Sequence, residues 1–212
     1  MKRILIIGAG DLGQQIAHYV SDSIEFKVMG YVDDWAVKGE LRNDFPVLGK
    51  IDDIEELYDQ SIFDELLMGI GYKHFGKRKD LFEKYRGKIP FATYIHPSCY
   101  VDNAAQIGQG VIILPRCVVD VQSIINDNAF IYSGTVIGHN STIGFNSILS
   151  LSVTIGGFSC IGESCFIGLG STIKDDVNIA HDVFIGSGSN VIESITRTGV
   201  YVGNPAKYLR DK

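Results

Sequence analysis

The chain has no run of Lys or Arg dense enough to lay a positive stripe across a surface. Its 19 basic and 25 acidic residues leave a formal net charge of −6, which argues against nucleic acid or an anionic membrane surface as a partner. It also has no apolar run long enough to span a bilayer. Ile4-Leu5-Ile6-Ile7 near the start ends at once in a glycine turn, so neither membrane insertion nor a signal peptide is expected. Cysteine is scarce, at four residues, and there is no Cys-x-x-Cys. A disulfide framework is therefore not expected, and the cysteine usage is that of a reducing, cytoplasmic compartment. Histidine is scarce too: of His18, His74, His96, His139 and His181 no two are spaced to start a zinc site, and no metal is expected. No Ser or Cys lies in a context that would activate it as a nucleophile. What remains, at 45% hydrophobic residues, is the composition of a globular protein of one large or two small domains.

The most regular feature is a period of six. From Ile95 an aliphatic residue recurs at every sixth position, through Val101, Ile107, Ile113 and Val119 to Ile185 and Val191, seventeen times without a miss. A small or β-branched residue stands two places before most of them (Ala105, Cys117, Ala129, Ser141), and Gly often follows directly. No α-helix has this period; it is the pattern of a hexapeptide parallel β-helix, in which three hexads close one triangular coil. Each large aliphatic then stacks on its equivalent eighteen positions away, so Ile137 should lie between Val119 and Ile155. With strands ~4.8 Å apart, the repeat builds a prism roughly 26 Å tall. The tail after Val191 is expected to cover its open end. Cys99, Cys117 and Cys165 take small inward positions and read as packing residues.

Ahead of the hexads, Lys2–Ile7 reads as a buried strand, followed by Gly8-Ala9-Gly10-Asp11-Leu12-Gly13 and a helix through Val20. A second strand at Phe26–Val32 ends at Asp33-Asp34. This is the strand, glycine turn, helix and distal acid of a dinucleotide-type fingerprint. Gly10 would admit a pyrophosphate to the backbone, and Asp33 or Asp34 would accept bonds from a ribose or base. The same glycines would equally well serve only as turn-formers. A helix at Ile51–Tyr58, a third strand at Glu65–Ile70, a loop opened by Gly69 and Gly71, and a helix ending near Arg86 complete the region. Lys73 is placed to meet a phosphate, while Lys77 and Arg78 belong to a solvated face. Only about three strands fit, which makes a half-Rossmann domain at 1–91 and a β-helix domain with its tail at 92–212. Half a fold favours the nucleotide handle of a sugar over a nicotinamide cofactor.

On the prism, His139 and His181 stand two places after the large aliphatic and so face outward. Outward positions also carry Phe130, Phe145, Phe158, Phe166 and Phe184, which a solitary prism would leave wet, so a homotrimer is expected. His181 is followed by Asp182 and His139 by Asn140, so adjacency alone favours His181 as an oriented base.

The sequence from Ile7-Gly8-Ala9-Gly10 through Asp33-Asp34, Ile95-His96-Pro97-Ser98, the hexads with Gly138-His139, and Gly203-Asn204-Pro205-Ala206-Lys207 resembles the sialic-acid O-acetyltransferase-like (NeuD/PglD-type) sugar acyltransferases over essentially its whole length. The resemblance implies a left-handed β-helix, a homotrimer, and acetyl-CoA as acyl donor in the groove between neighbouring prisms. It implies a nucleotide-sugar held by the N-terminal domain at Gly8, Gly10, Asp11, Leu12, Gly13, Asp33, Asp34, Gly69, Gly71 and Lys73. It places the general base at His139 with Asn140 beside it, and acetyl-CoA contacts at Ile148, Gly157, Leu169, Ser187 and Lys207. Three positions depart from the family pattern: Asn140 replaces an acidic residue, Ile148 replaces a second His found in many members, and Gly10-Asp11-Leu12-Gly13 replaces the usual His-containing turn.

The leading expectation is acetyl transfer from acetyl-CoA to a nucleotide-linked amino sugar in bacterial surface-glycan synthesis. In it His139 accepts the proton, and a backbone N–H near Gly157 stabilises the oxyanion. Two alternatives stay open, a sugar O-acetyltransferase and a catalytically weakened nucleotide-sugar-binding trimer. A nicotinamide oxidoreductase rests on the glycine fingerprint alone.

Overall fold

Ile4 to Ile7 are apolar without alternation, the pattern of a strand covered on both faces, and all four are fully buried. In the computed structural model, which describes residues 1–212, they belong to strand β1 (Lys2–Ile7). After the glycine turn comes helix α1 (Asp11–Ser21), which buries Gly13, Ile16, Ala17 and Val20 at helical spacing. Strand β2 (Phe26–Val32) pairs in parallel with β1, so both strands have the bounds that the sequence pattern predicts.

The sequence reading missed a hairpin, β3 (Leu41–Arg42) and β4 (Phe45–Gly49). Asn43 and Asp44 between them both have positive φ, the conformation of a two-residue hairpin turn for which Asn and Asp are suited. Strand β4 then runs parallel to β2. With helix α2 (Ile54–Asp59) and strand β5 (Glu65–Met68), the sheet is five-stranded in the order β3-β4-β2-β1-β5. Helix α3 (Phe75–Tyr85) follows. Phe91 bridges Leu66, and Ala92 donates its N–H to the Leu66 carbonyl. This last rung carries the N-terminal unit to Thr93, two residues past the expected boundary, and the second unit runs from Tyr94 to Lys212. No helix is long and apolar enough to cross a membrane.

The second unit is a three-faced parallel prism. Its first face is six-stranded and carries the inward residues Val101, Val119, Ile137, Ile155, Ile173 and Val191. The second is five-stranded and carries Ile107, Ile125, Ile143, Ile161 and Ile179. The third carries Ile95 through Ile185 and is extended by the tail to eight strands. Ile137 pairs with Val119 on one side and Ile155 on the other, and all three belong to the core. Removing such a side chain from water contributes about 1.5–3 kcal/mol. Inward hydroxyls are satisfied by a repeating bond: Ser123, Ser141 and Ser147 donate to the carbonyls of Gly138, Gly156 and Gly162 at 2.8–2.9 Å. Burial among these ladders pushes the Cys165 thiol up to about 12.

The tail closes the last coil. Gly199–Val202 pairs with Val183–Ile185, and Lys207–Arg210 returns antiparallel to it. Asn190 donates its N–H to the Gly203 carbonyl, and Ile195 bridges Ile179. One expectation needs correction. Of the outward aromatics that a single prism was expected to leave wet, Phe130 is fully buried and Phe145, Phe166 and Phe184 are half-buried; only Phe158 stands out, at 60% exposure.

Candidate active site

The turn from β1 into α1 is built by close approach. A Cβ on Gly13 would lie 2.0 Å from the Gly8 carbonyl oxygen, and one on Gly69 would lie 2.9 Å from both the Gly13 Cα and the Ile7 oxygen. Gly13 and Gly69 are therefore required by the packing of the turn against the end of β5, and Gly8 by its φ of 101°. Gly10 is different. Its φ is −72°, and a Cβ there would meet nothing within 4 Å, so nothing in the fold demands glycine at that position. The N–H groups of the first turn of α1 lie beside it, the ordinary place for an anion. Gly10 itself occupies the N-cap with no side-chain cap bond, so Asp11 is the first residue of the helix and not its cap. Asp11 is exposed and Leu12 half-buried, with its Cδ2 in ordinary contact distance of a Cβ on Gly71.

Asp33 locks this turn. One carboxylate oxygen accepts the Ala9 N–H at 2.8 Å, and the other accepts those of Trp35 at 2.7 Å and Ala36 at 3.0 Å. Partial burial pushes its carboxyl up, but the three N–H donors and Lys50 outweigh this and hold it below the usual carboxylate value. Asp34 accepts the Ile51 N–H at 3.1 Å and faces Lys77 at 3.8 Å. The structure thus gathers Gly8, Gly10, Leu12, Gly13, Asp33, Gly69 and Gly71 about the carboxyl ends of the parallel strands, where open α/β sheets bind ligands. Lys73 is exposed in the short turn before α3. Arg78 departs from expectation. It is fully buried, not solvated, and donates to the Ile70 carbonyl at 3.0 Å, which anchors the loop after β5.

The sequence reading also passed over Trp35. It is the only tryptophan of the chain, is 94% exposed, and its N–H shares a carboxylate with Ala9 of the glycine turn. The available signal was a large aromatic directly after the acidic pair that ends β2.

On the prism, His139 and Asn140 form the corner between the first and second faces. Nδ1 of His139 lies 3.0 Å from Oδ1 of Asn140, whose Nδ2 donates to Gln122 Oε1 at 2.8 Å. The imidazole covers Gly157, where a Cβ would come within 2.8 Å of Nε2. The Phe158 ring meets it edge to face, with centroids 4.9 Å apart at 90°. The Gly157 N–H donates to Asp175 Oδ1 at 2.8 Å. It is therefore already engaged and is not the free oxyanion donor expected; Gly157 contributes room for the imidazole instead.

His181 stands at a different corner, between the second and third faces. Its Nδ1 accepts the Glu163 N–H at 2.9 Å, while Asp182 bonds Lys212 at 3.0 Å. The adjacent His181 and Asp182 therefore do not form a dyad. Of the expected acetyl-CoA contacts, Leu169 and Ser187 stack one coil apart at the corner between the third and first faces, both exposed, and Lys207 is exposed on the tail. Ile148 is only 1% exposed because it points outward into the apolar row with Phe130 and Phe166, so it offers no side-chain surface to a ligand. A single chain thus leaves His139 and the Leu169–Ser187 pair on opposite edges of the first face.

A Rossmann-like half domain joined to a hexapeptide β-helix with a histidine on one corner defines a class, the two-part hexapeptide-repeat transferases. The profile described as the GMPPB C-terminal domain matches residues 89–201, and that of the PglD N-terminal domain matches residues 3–85. The chain belongs to the NeuD/PglD-type family of sugar acyltransferases, and its prism is the left-handed β-helix of that fold. No curated protein sequence matches it. PerB from Caulobacter crescentus, solved with CoA and GDP-perosamine, is 26% identical with a TM-score of 0.90, over 99% of this chain and 98% of that one. The acetyltransferase domain of PglB from Neisseria gonorrhoeae is 24% identical with a TM-score of 0.91, over 99% and 100%. WeeI from Acinetobacter baumannii is 21% identical with a TM-score of 0.82, over 99% and 100%; these last two likenesses speak to the fold.

Proposed function

We propose that the protein transfers an acetyl group from acetyl-CoA to an amine of a nucleotide-linked sugar, with His139 as general base. The observation that carries this reading is the orientation of His139. With Asn140 Oδ1 accepting, the neutral imidazole holds its proton on Nδ1 and presents a lone pair at Nε2. His139 then takes a proton from the amine nitrogen as that nitrogen bonds to the thioester carbonyl carbon. The C–S bond breaks as the tetrahedral intermediate collapses, and the CoA thiolate leaves to be protonated. No enzyme-bound acyl group is needed. The likeness to PerB, whose structure holds CoA and GDP-perosamine, supports a nucleotide-linked amino sugar as acceptor and acetyl-CoA as donor.

The diphosphate of that sugar would lie at the α1 N-terminus beside Gly10, with Lys73 as counter-charge. The working assembly is a homotrimer. Leu151 and Leu169, exposed at 46% and 53%, stack one coil apart on the corner that a neighbouring prism would cover. The test is thiol release from acetyl-CoA across nucleotide-linked 4-amino and 3-amino sugars. Release with none of these, but with a hydroxyl acceptor, would move the protein to O-acetylation. Nucleotide-sugar binding without release from any acceptor would leave a binding protein only.

A further inference from the structure

Phe158 occupies a backbone conformation that its side chain does not favour. Along the His139 corner the residues one coil apart are Gln122, Asn140, Phe158 and Asp176, with φ of 58°, 57°, 58° and 57°. Short polar side chains tolerate this left-handed conformation, whereas an aromatic side chain there is a genuine outlier. Phe158 is also the only aromatic residue among the positive-φ positions of the chain. The ring gains little from burial within its own chain, where it is 60% exposed. What it does meet is His139, edge to face at 4.9 Å, and its own N–H donates to the His139 carbonyl at 3.0 Å. An unfavoured conformation kept at low burial points to a role other than folding.

We propose that Phe158 is a positioning residue for His139. Three restraints then define the imidazole: Asn140 at Nδ1, the missing Cβ of Gly157 below it, and the Phe158 ring at its side. Asn140 alone fixes one atom and leaves the ring free to swing about that contact. The aromatic wall removes the swing and keeps Nε2 over Gly157. Since the partner at Nδ1 is a neutral carboxamide, orientation is the means left for making the imidazole effective. The inference rests on the reading of His139 as the base.

The test combines three variants with a double-mutant cycle. Phe158→Asn restores a side chain suited to the left-handed corner and removes the ring, so Tm should rise by a few degrees while kcat falls about tenfold with KM for acetyl-CoA little changed. Phe158→Leu keeps the backbone mismatch and loses the ring, so kcat should fall without a gain in Tm. Phe158→Tyr restores the ring and most of the lost kcat. In a His139→Ala background, Phe158→Asn should have no further effect on turnover. The histidine ring-proton resonances of His139, read without substrate, should shift in Phe158→Asn and Phe158→Leu but not in Phe158→Tyr. A Phe158→Asn variant with undiminished kcat, or one that loses as much turnover with or without His139, would overturn the proposal. If His139→Ala alone keeps full turnover, the base reading has failed; the resonance shifts then still report whether Phe158 holds the ring.

Discussion

Nδ1 of His139 lies 3.0 Å from Oδ1 of Asn140, and the carboxamide in turn donates to Gln122 one coil below. These two neutral side chains orient the imidazole through Nδ1. His139→Ala should therefore lower turnover about a hundredfold or more, the scale of losing a positioned general base, with acetyl-CoA affinity little changed. His181 is turned to the Glu163 amide on another corner, so His181→Ala should change turnover only slightly. Steady-state kinetics of the two variants would decide, and loss of turnover in His181→Ala with His139→Ala active would move the site to the other corner.

Asn140→Asp places a carboxylate where the carboxamide accepts from Nδ1. An anion there favours the imidazolium form, which raises the basicity of Nε2. We expect kcat equal to or above that of the parent. The contact with Gln122 Oε1 is lost in exchange, so Tm should not rise. A fall in kcat of tenfold or more at every pH would show that the carboxamide does something a carboxylate cannot.

How much of this was legible in the sequence follows from how each feature is encoded. The prism is written in seventeen repeats, so stacking, core and coil register could be read residue by residue. The choice between the two histidines could not be read from adjacency, because equivalent corners differ: His139 bonds its neighbour Asn140, whereas Asp182 reaches Lys212 and His181 reaches the coil below. Phe158 was visible only as an outward aromatic, since its left-handed φ is a property of the corner and not of its residue type. The β3–β4 hairpin was missed although Asn43-Asp44 is a turn signal, because its first strand is two residues long. The burial of Arg78 and Ile148 depends on tertiary surroundings that local pattern does not contain.

Gly10 allows a clean test of the nucleotide site. Its φ is open to any residue, and a side chain there meets nothing in the fold, so Gly10→Val should fold with Tm close to the parent while obstructing approach to the α1 N-terminus. Trp35, the only tryptophan, shares a carboxylate with the turn and reports on it. Nucleoside diphosphate should change the Trp35 emission of the parent and not that of Gly10→Val. Equal binding by both in calorimetry would leave the glycines as turn-formers only.

Asp33 makes the stability of the N-terminal unit acid-sensitive. Its carboxyl is held below the usual value of 3.8 in the folded protein, so it contributes stability that is fully present above that pH and is lost as pH falls through the lower folded value. Asp33→Asn should cost on the order of 1–3 kcal/mol at neutral pH, the scale of bonds to a charged acceptor. The cost should shrink as the medium is acidified below pH 4. Thermal unfolding at a series of pH values measures this, and a difference between variant and parent that stays constant with pH would show that the carboxylate charge is not what holds the turn.

The last expectation concerns assembly. Leu169 and Ser187 lie on the edge of the first face that precedes its strands and His139 on the edge that follows them, so an acyl donor touching both sets on one chain would have to run the full width of that face. A donor lying between two prisms meets one edge of each. The exposed Leu151 and Leu169 give the contact an apolar strip that a lone prism would leave in water. Sedimentation at micromolar concentration should therefore give three times the 23.3 kDa protomer mass. Leu151→Lys, which charges the strip away from the histidine corner, should shift the distribution toward monomer and lower acetyl-CoA affinity in parallel. A monomer with full acetyl-CoA affinity would place the donor site within a single chain.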